Sequence, residues 1–224
     1  MSEINNVTKP YSSISVSAAK LSILTSSLFI IILASLHVLE REFDPTWRFI
    51  SEYALGKFGW LMHLCFYLIA LSLVSIGIVI VSQLRSIMIY ISLIILLMSA
   101  TGLFIAGIFV TDPIVIYQNK ATFSGQMHVL GASLDYTPIA AFLISLALVR
   151  HKAWQIVRTR LLVTSCIMLV LMFAFMFFLP RDGAFGPGVY AGLIGRFLIM
   201  SYYAWIVVVG FHFLKLSKRN TNTI

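Results

Sequence analysis

Three histidines stand where apolar runs begin or end. His37 closes the first run, His63 opens the second and His128 opens the fourth, which puts three imidazoles at similar depth near one side of whatever the runs build. If those runs adjoin, His37, His63 and His128 with Glu52, Asp112 or Asp135 would make an open zinc site. The metal would activate water, and Glu52 or Asp135 would serve as the catalytic base. No H-E-x-x-H or comparable local spacing accompanies them. The plainer reading leaves each histidine at a lipid–water boundary or hydrogen-bonded to a neighbouring helix.

Asp135 is the sharpest single residue. A carboxylate at the centre of a membrane helix costs about 2.5–3.5 kcal/mol on insertion scales, so it needs a partner or a task. Pro138 follows three residues later and removes a backbone hydrogen bond, which predicts a local kink with an exposed carbonyl. His128 lies two helical turns earlier, with Gly131 between, so the two polar groups share one helix face. An ion pair with Arg196 would satisfy Asp135. The functional alternative is a proton- or ion-coupling element of a small transporter.

The elements that must position these groups follow from composition. The chain has 224 residues, 60% of them hydrophobic and 11% charged, with a mean hydropathy of +0.97. Such a surface is incompatible with water, so lipid must be the solvent and the bilayer the first partner. A spanning helix needs about 20 apolar residues. Runs at about 19–39, 59–83, 87–110, 126–149, 161–180 and 190–214 meet that length. Backbone in lipid must satisfy its own hydrogen bonds, and the alternation of barrel strands is absent, so the fold class is all-α, an integral membrane bundle of six transmembrane helices. Residues 1–18, Ser-rich and without apolar period, read as a disordered tail, 19–214 as a single transmembrane domain, and 215–224 as a basic tail.

Charge gives an orientation. Ten Lys and Arg residues fall in the tails and the even-numbered loops, against six (Arg41, Arg48, Lys57, Lys120, Arg181 and Arg196) on the opposite face. That bias places both termini in the cytoplasm of a cell-membrane protein. The formal net charge of +8 is spread beside apolar runs rather than gathered into an aromatic-interleaved patch, so it marks topology and not nucleic-acid binding. Cys65 and Cys166 sit in different runs that begin on opposite faces, too far apart for a disulfide.

Three loops on the outer face are punctuated by Pro and Gly: 40–59, 111–126 and 181–188. Within the first, the mixture of charge and aromatic residues from Asp44 to Gly56 predicts an interfacial helix with an Arg48–Glu52 pair. Gly188 and Gly192 form a G-x-x-x-G that would let helix six approach a neighbour closely.

At FDPTWRFISEYALGKFGWLMH (43–63), the TDP of 111–113, Gly125 to His128, and GLIGR (192–196), the chain resembles domain-of-unknown-function family 998, six-helix prokaryotic membrane proteins. The resemblance covers almost the whole chain. It implies Asp44, Pro45, Ser51, Glu52, Gly56, Asp112, Pro113, Gly125, His128 and Arg196 as family positions. Where that family carries Gln before the arginine, this chain has Gly195. A more distant likeness to Frag1 and DRAM-like membrane proteins is an analogy of fold. The resemblance implies a shared external polar cluster without supplying a reaction. Its expected role is a lipid-interacting bundle in which Glu52, Asp112, His128 and Arg196 pair with one another, Asp112 and Arg196 serving as binding residues. A metal-dependent hydrolase of lipid amides or esters and a small coupled transporter are the alternatives.

Overall fold

Each apolar run becomes a helix because unpaired backbone amides have no water to turn to in lipid. The computed structural model describes residues 12–114, 121–181 and 183–221, all of its regular structure helical. The helices are α1 (Ser13–Leu39), α2 (Gly59–Gln83), α3 (Ile87–Ile108), α4 (Phe123–Ser133), α5 (Thr137–Leu148), α6 (Arg158–Phe178) and α7 (Ala191–Thr221), with short 3₁₀ turns at Ile50–Leu55 and Lys152–Val157. Six spans are long and apolar enough to cross a membrane, and α4 and α5 together form the fourth. An even number of spans returns both termini to one side, here called the terminal face; the other is the motif face.

Several boundaries differ from the sequence reading. The tail expected over 1–18 gives way to helix at Ser13, because the Ser12 side chain accepts the Ser15 amide and caps α1; residues 1–11 lie outside the described residues. At the other end α7 runs through Lys215 and Lys218 to Thr221, carrying the basic tail as helix. Lys9, Lys120 and Asp182 also fall outside the described residues. The segment expected to lie on the interface is instead a 3₁₀ turn with Ser51, Glu52 and Tyr53 buried. Gly188 precedes α7 in a left-handed turn (φ 99°), so the G-x-x-x-G does not lie on one helix.

The spans close into a ring. α1 packs on α2 and α7, α2 on α3, α3 on both α4 and α5, α5 on α6, and α6 on α7. Small residues permit the tightest crossings: Ser22 and Ser72 each donate a hydroxyl to the other's carbonyl at 2.9 Å, and a Cβ on Gly102 would stand 2.4 Å from the Gly131 oxygen. α5 closes the half of the ring nearest the terminal face. There Trp205, fully buried, donates to Ser145 Oγ at 2.9 Å. α4 leans on α3 and shares no extensive packing with α6 or α7, so the ring is parted in the half nearest the motif face.

The cause is the break expected at Pro138, realised as a full interruption. Proline in the first turn of α5 donates no hydrogen bond, and its ring would collide with the preceding turn. The chain therefore stops at Ser133 and restarts at Thr137. The backbone groups freed within the membrane are met by protein: the Tyr136 amide donates to Ser99 Oγ (2.9 Å), and the Thr137 amide and hydroxyl donate to Asp135 Oδ1 (3.1 and 2.6 Å).

Candidate site: a polar-floored cavity under the motif loops

The first loop is pinned by its carboxylates. Glu40, buried, accepts the Phe58 amide and occupies the space where a side chain on residue 56 would stand, which explains Gly56. Asp44 accepts the Thr46 amide and hydroxyl at 2.8 and 2.6 Å, and these bonds hold its carboxyl below the usual aspartate value. Glu52, 1% exposed, accepts the Ile114 amide of the next loop at Oε1 (2.9 Å) and the Phe49 amide at Oε2, the oxygen from which Arg48 Nε lies 3.1 Å. Burial outweighs these contacts and raises the Glu52 carboxyl above its ordinary value. The loop joins α7 through the Leu193 amide, which donates to the Thr46 carbonyl. Gly192 is required there, since a Cβ would lie 2.5 Å from the Arg48 oxygen.

Arg196 is buried one turn further along. Its guanidinium donates to His37 Nε2 (2.7 Å), the Arg48 and Gly192 carbonyls (2.7 and 3.0 Å) and Tyr53 Oη (3.1 Å), all neutral acceptors. Because His37 Nδ1 lies 2.7 Å from the Leu33 carbonyl, its proton sits there and leaves Nε2 as the acceptor for Arg196. The Asp135–Arg196 pair expected from sequence does not form. Arg196 points toward α1 and the loop, whereas Asp135, half-buried, receives the Tyr202 hydroxyl at 3.2 Å.

The second and third histidines finish α3. Its last carbonyls have no helical partners. His63 Nδ1 and Tyr67 Oη meet the Gly107 oxygen at 2.6 and 2.9 Å, and His128 Nδ1 meets the Ala106 and Phe109 oxygens, both at 2.9 Å. His128 Nδ1 must therefore carry the proton, and Nε2 is a bare acceptor. Asp112 accepts the Thr122 amide and hydroxyl, and Thr122 in turn caps α4 at the Gly125 amide. A Cβ at residue 125 would stand 2.0 Å from Asp112 Oδ2, which accounts for the glycine of the G-x-x-H.

Glu52, Asp112, His128 and Arg196 thus pair with other groups and not with one another. Nor does the structure assemble the three histidines as zinc ligands: His37 is turned to Arg196, and His63 and His128 are turned to backbone. Among the described residues no three His, Cys, Asp or Glu side chains converge to hold a metal ion. Cys65 and Cys166 are free thiols, one buried and one exposed.

The parted half of the ring does bring four of the sequence candidates together. A cavity of about 550 Å³ lies under the motif loops between α2, α3, α4, α6 and α7, walled by Phe66, Leu103, Val129, Phe175 and Leu198. Glu52, Asp112, His128 and Asp135 line it, joined by Tyr202, while Arg196 and two of the histidines do not. No Lys or Arg is among the described residues that line it. Gly195 borders the same space, and a Cβ there would approach the Phe175 ring at 3.3 Å. Tyr53 and Tyr202, the partners of Arg196 and Asp135, were not singled out from the sequence. Tyrosine hydroxyls within apolar runs were the available signal, since a buried phenol usually finds a polar partner.

A family model described as a protein of unknown function (DUF998) matches residues 23–212. No curated protein and no solved structure matches the chain.

Proposed function

The chain belongs to this DUF998 family, whose description names no reaction, and from the geometry of its cavity we propose that it is a membrane-embedded binding protein for an amphiphile taken up from the lipid between α4 and α6. One observation carries the reading: the fourth span is interrupted, and its half nearest the motif face leaves a 550 Å³ cavity with apolar walls and a few convergent polar groups. Ligand sites for small molecules fall at about 300–1,000 Å³ with this mixture of lining. The ten-to-six bias of bases supports cytoplasmic termini in a cell membrane, with the cavity beneath the external face.

Purification in a mild detergent followed by native mass spectrometry tests the reading. Wild type is expected to retain a bound amphiphile. Gly195→Trp, which puts an indole against Phe175, and Ala132→Trp, on the opposite wall, are expected to lose it while unfolding at the wild-type temperature. Equal retention by both filled variants would overturn the reading.

The interruption beside Asp135 also favours a second reading, a proton- or ion-coupled transporter. Below the cavity floor, Tyr202 and the Trp205–Ser145 contact close the way to the terminal face, so transport would require that closure to part. Solute-driven proton flux in proteoliposomes that vanishes in Asp135→Asn would favour it over simple binding.

A further inference from the structure

Resting on the amphiphile-binding reading, the lining of the cavity also selects the ligand's polar group. We propose that the ligand is a lipophilic amine, its N–H-bearing ammonium group passing His128 on entry and received at the floor by Asp135. Three observations lead there. His128 is 4% exposed, its Nδ1 is spent on two carbonyls of α3, and its Nε2 has no hydrogen-bond partner among the described residues although the residue lines the cavity. An acceptor left open toward an apolar-walled cavity suits a ligand that brings a donor.

Asp135 and Asp112 face the same space, and their partners are hydroxyls and amides. Among the described residues neither makes an ion pair; the one carboxylate that does, Glu52, is matched by Arg48. The cavity thus holds these two carboxyl groups with no cationic side chain among its described lining. Finally, the absence of Lys and Arg from the described lining disfavours phosphate, sulfate or carboxylate head groups, which require such partners when desolvated.

The candidates divide on charge and on donors. A quaternary ammonium brings charge but no N–H, and leaves His128 Nε2 unmet. An alcohol brings a donor but no charge. Only a protonated primary or secondary amine supplies both. α4 contains eleven residues, so at 1.5 Å per residue the acceptors are spread over about 16 Å of depth. Asp112 and Glu52 stand at the mouth, His128 below them, and Asp135 with Tyr202 at the floor. Such a ladder would guide a cation inward from the surface.

Four twelve-carbon probes separate these cases: dodecylamine, dodecanol, dodecyltrimethylammonium and dodecyl phosphate, each titrated into purified wild type and Asp135→Asn with binding followed by thermal shift and calorimetry. The amine is expected to bind wild type about tenfold or more tighter than any other probe, and Asp135→Asn is expected to remove that preference, so that the amine and dodecanol bind the variant alike. Equal binding of all four, blocked by Gly195→Trp, would overturn the amine proposal and leave the amphiphile reading standing. Tighter binding of dodecyl phosphate would do the same. Failure of every probe to bind would overturn both. The wild-type ranking decides the matter even if Asp135→Asn folds poorly.

Discussion

The two halves of the fourth span are cut from one apolar run, yet they live in different surroundings. α5 is wedged between α3 and α6, and two polar contacts tie its surroundings together: Trp205 with Ser145, and on the terminal face His212 Nε2 with the Ala153 carbonyl, its ring beside Trp154. α4 leans on α3 alone among its extensive contacts, and the space beside it is bordered by Glu52, Asp112, His128 and Asp135. The contrast teaches that polarity inside this bundle has two uses. Where polar groups meet across packed helices, they lock them; where the helices part, they border space.

Truncating an aromatic residue in each half is the strongest way to break that contrast. Trp205→Ala, in the closed half, is expected to cost about 3–5 kcal/mol of stability, against about 1 kcal/mol for Phe175→Ala, whose ring already borders a void. Denaturant unfolding in micelles measures both, and equal losses would erase the distinction. Next in size is Arg196→Met, which strands Tyr53 Oη, His37 Nε2 and the Arg48 carbonyl, and should destabilise by about 2–4 kcal/mol. Arg196→Lys should recover only a minor part, since an ammonium cannot reach acceptors spread around a planar fork. An unfolding curve matching wild type for the lysine variant would show that charge alone suffices there.

Gly125→Ala is expected to cost about 1–3 kcal/mol by forcing Asp112 away from the α4 cap. Combining it with Asp112→Ala should recover part of that loss in the same unfolding assay if the collision, and not helix propensity, is the cause.

The smallest effects concern pH and run in opposite senses within one loop. Glu52 titrates above its ordinary 4.5, so the folded state holds the proton more tightly; its contribution to stability is present at low pH and lost as pH rises through the raised folded value. Asp44 titrates below 3.8, so its contribution is present above that value and lost as pH falls through the folded one. Stability–pH curves of Glu52→Gln and Asp44→Asn should therefore depart from wild type with opposite slopes, and departures of the same sign would contradict the placement of Glu52 as buried.

The spans were legible in sequence because membrane helices are specified by run length, a local property. Pro138 likewise marked the weak point of the fourth span, although not that α4 would separate from α6. Partners across helices were not legible. Arg196 and Asp135 look complementary in a list of charges, yet Arg196 of α7 reaches His37 of α1, while Asp135, in the α4–α5 break, receives the Tyr202 hydroxyl. The glycines show the same limit. Gly125 and Gly192 stood out within motifs, but that one makes room for a carboxylate and the other for a loop carbonyl depends on contacts between distant segments. Burial of the 50–55 turn was missed because charge and aromatic residues suit an interface as well as a buried plug.

On the proposed reading, the parting between α4 and α6 would open on hydrocarbon rather than on water. A molecule reaching the cavity that way is first collected by the bilayer, so occupancy would follow its mole fraction among lipids and not its concentration in the medium. A sparingly soluble compound could then saturate the protein at bulk levels far below its intrinsic dissociation constant. Apparent affinities would change with the ratio of lipid or detergent to protein, which makes that ratio a variable to titrate in its own right.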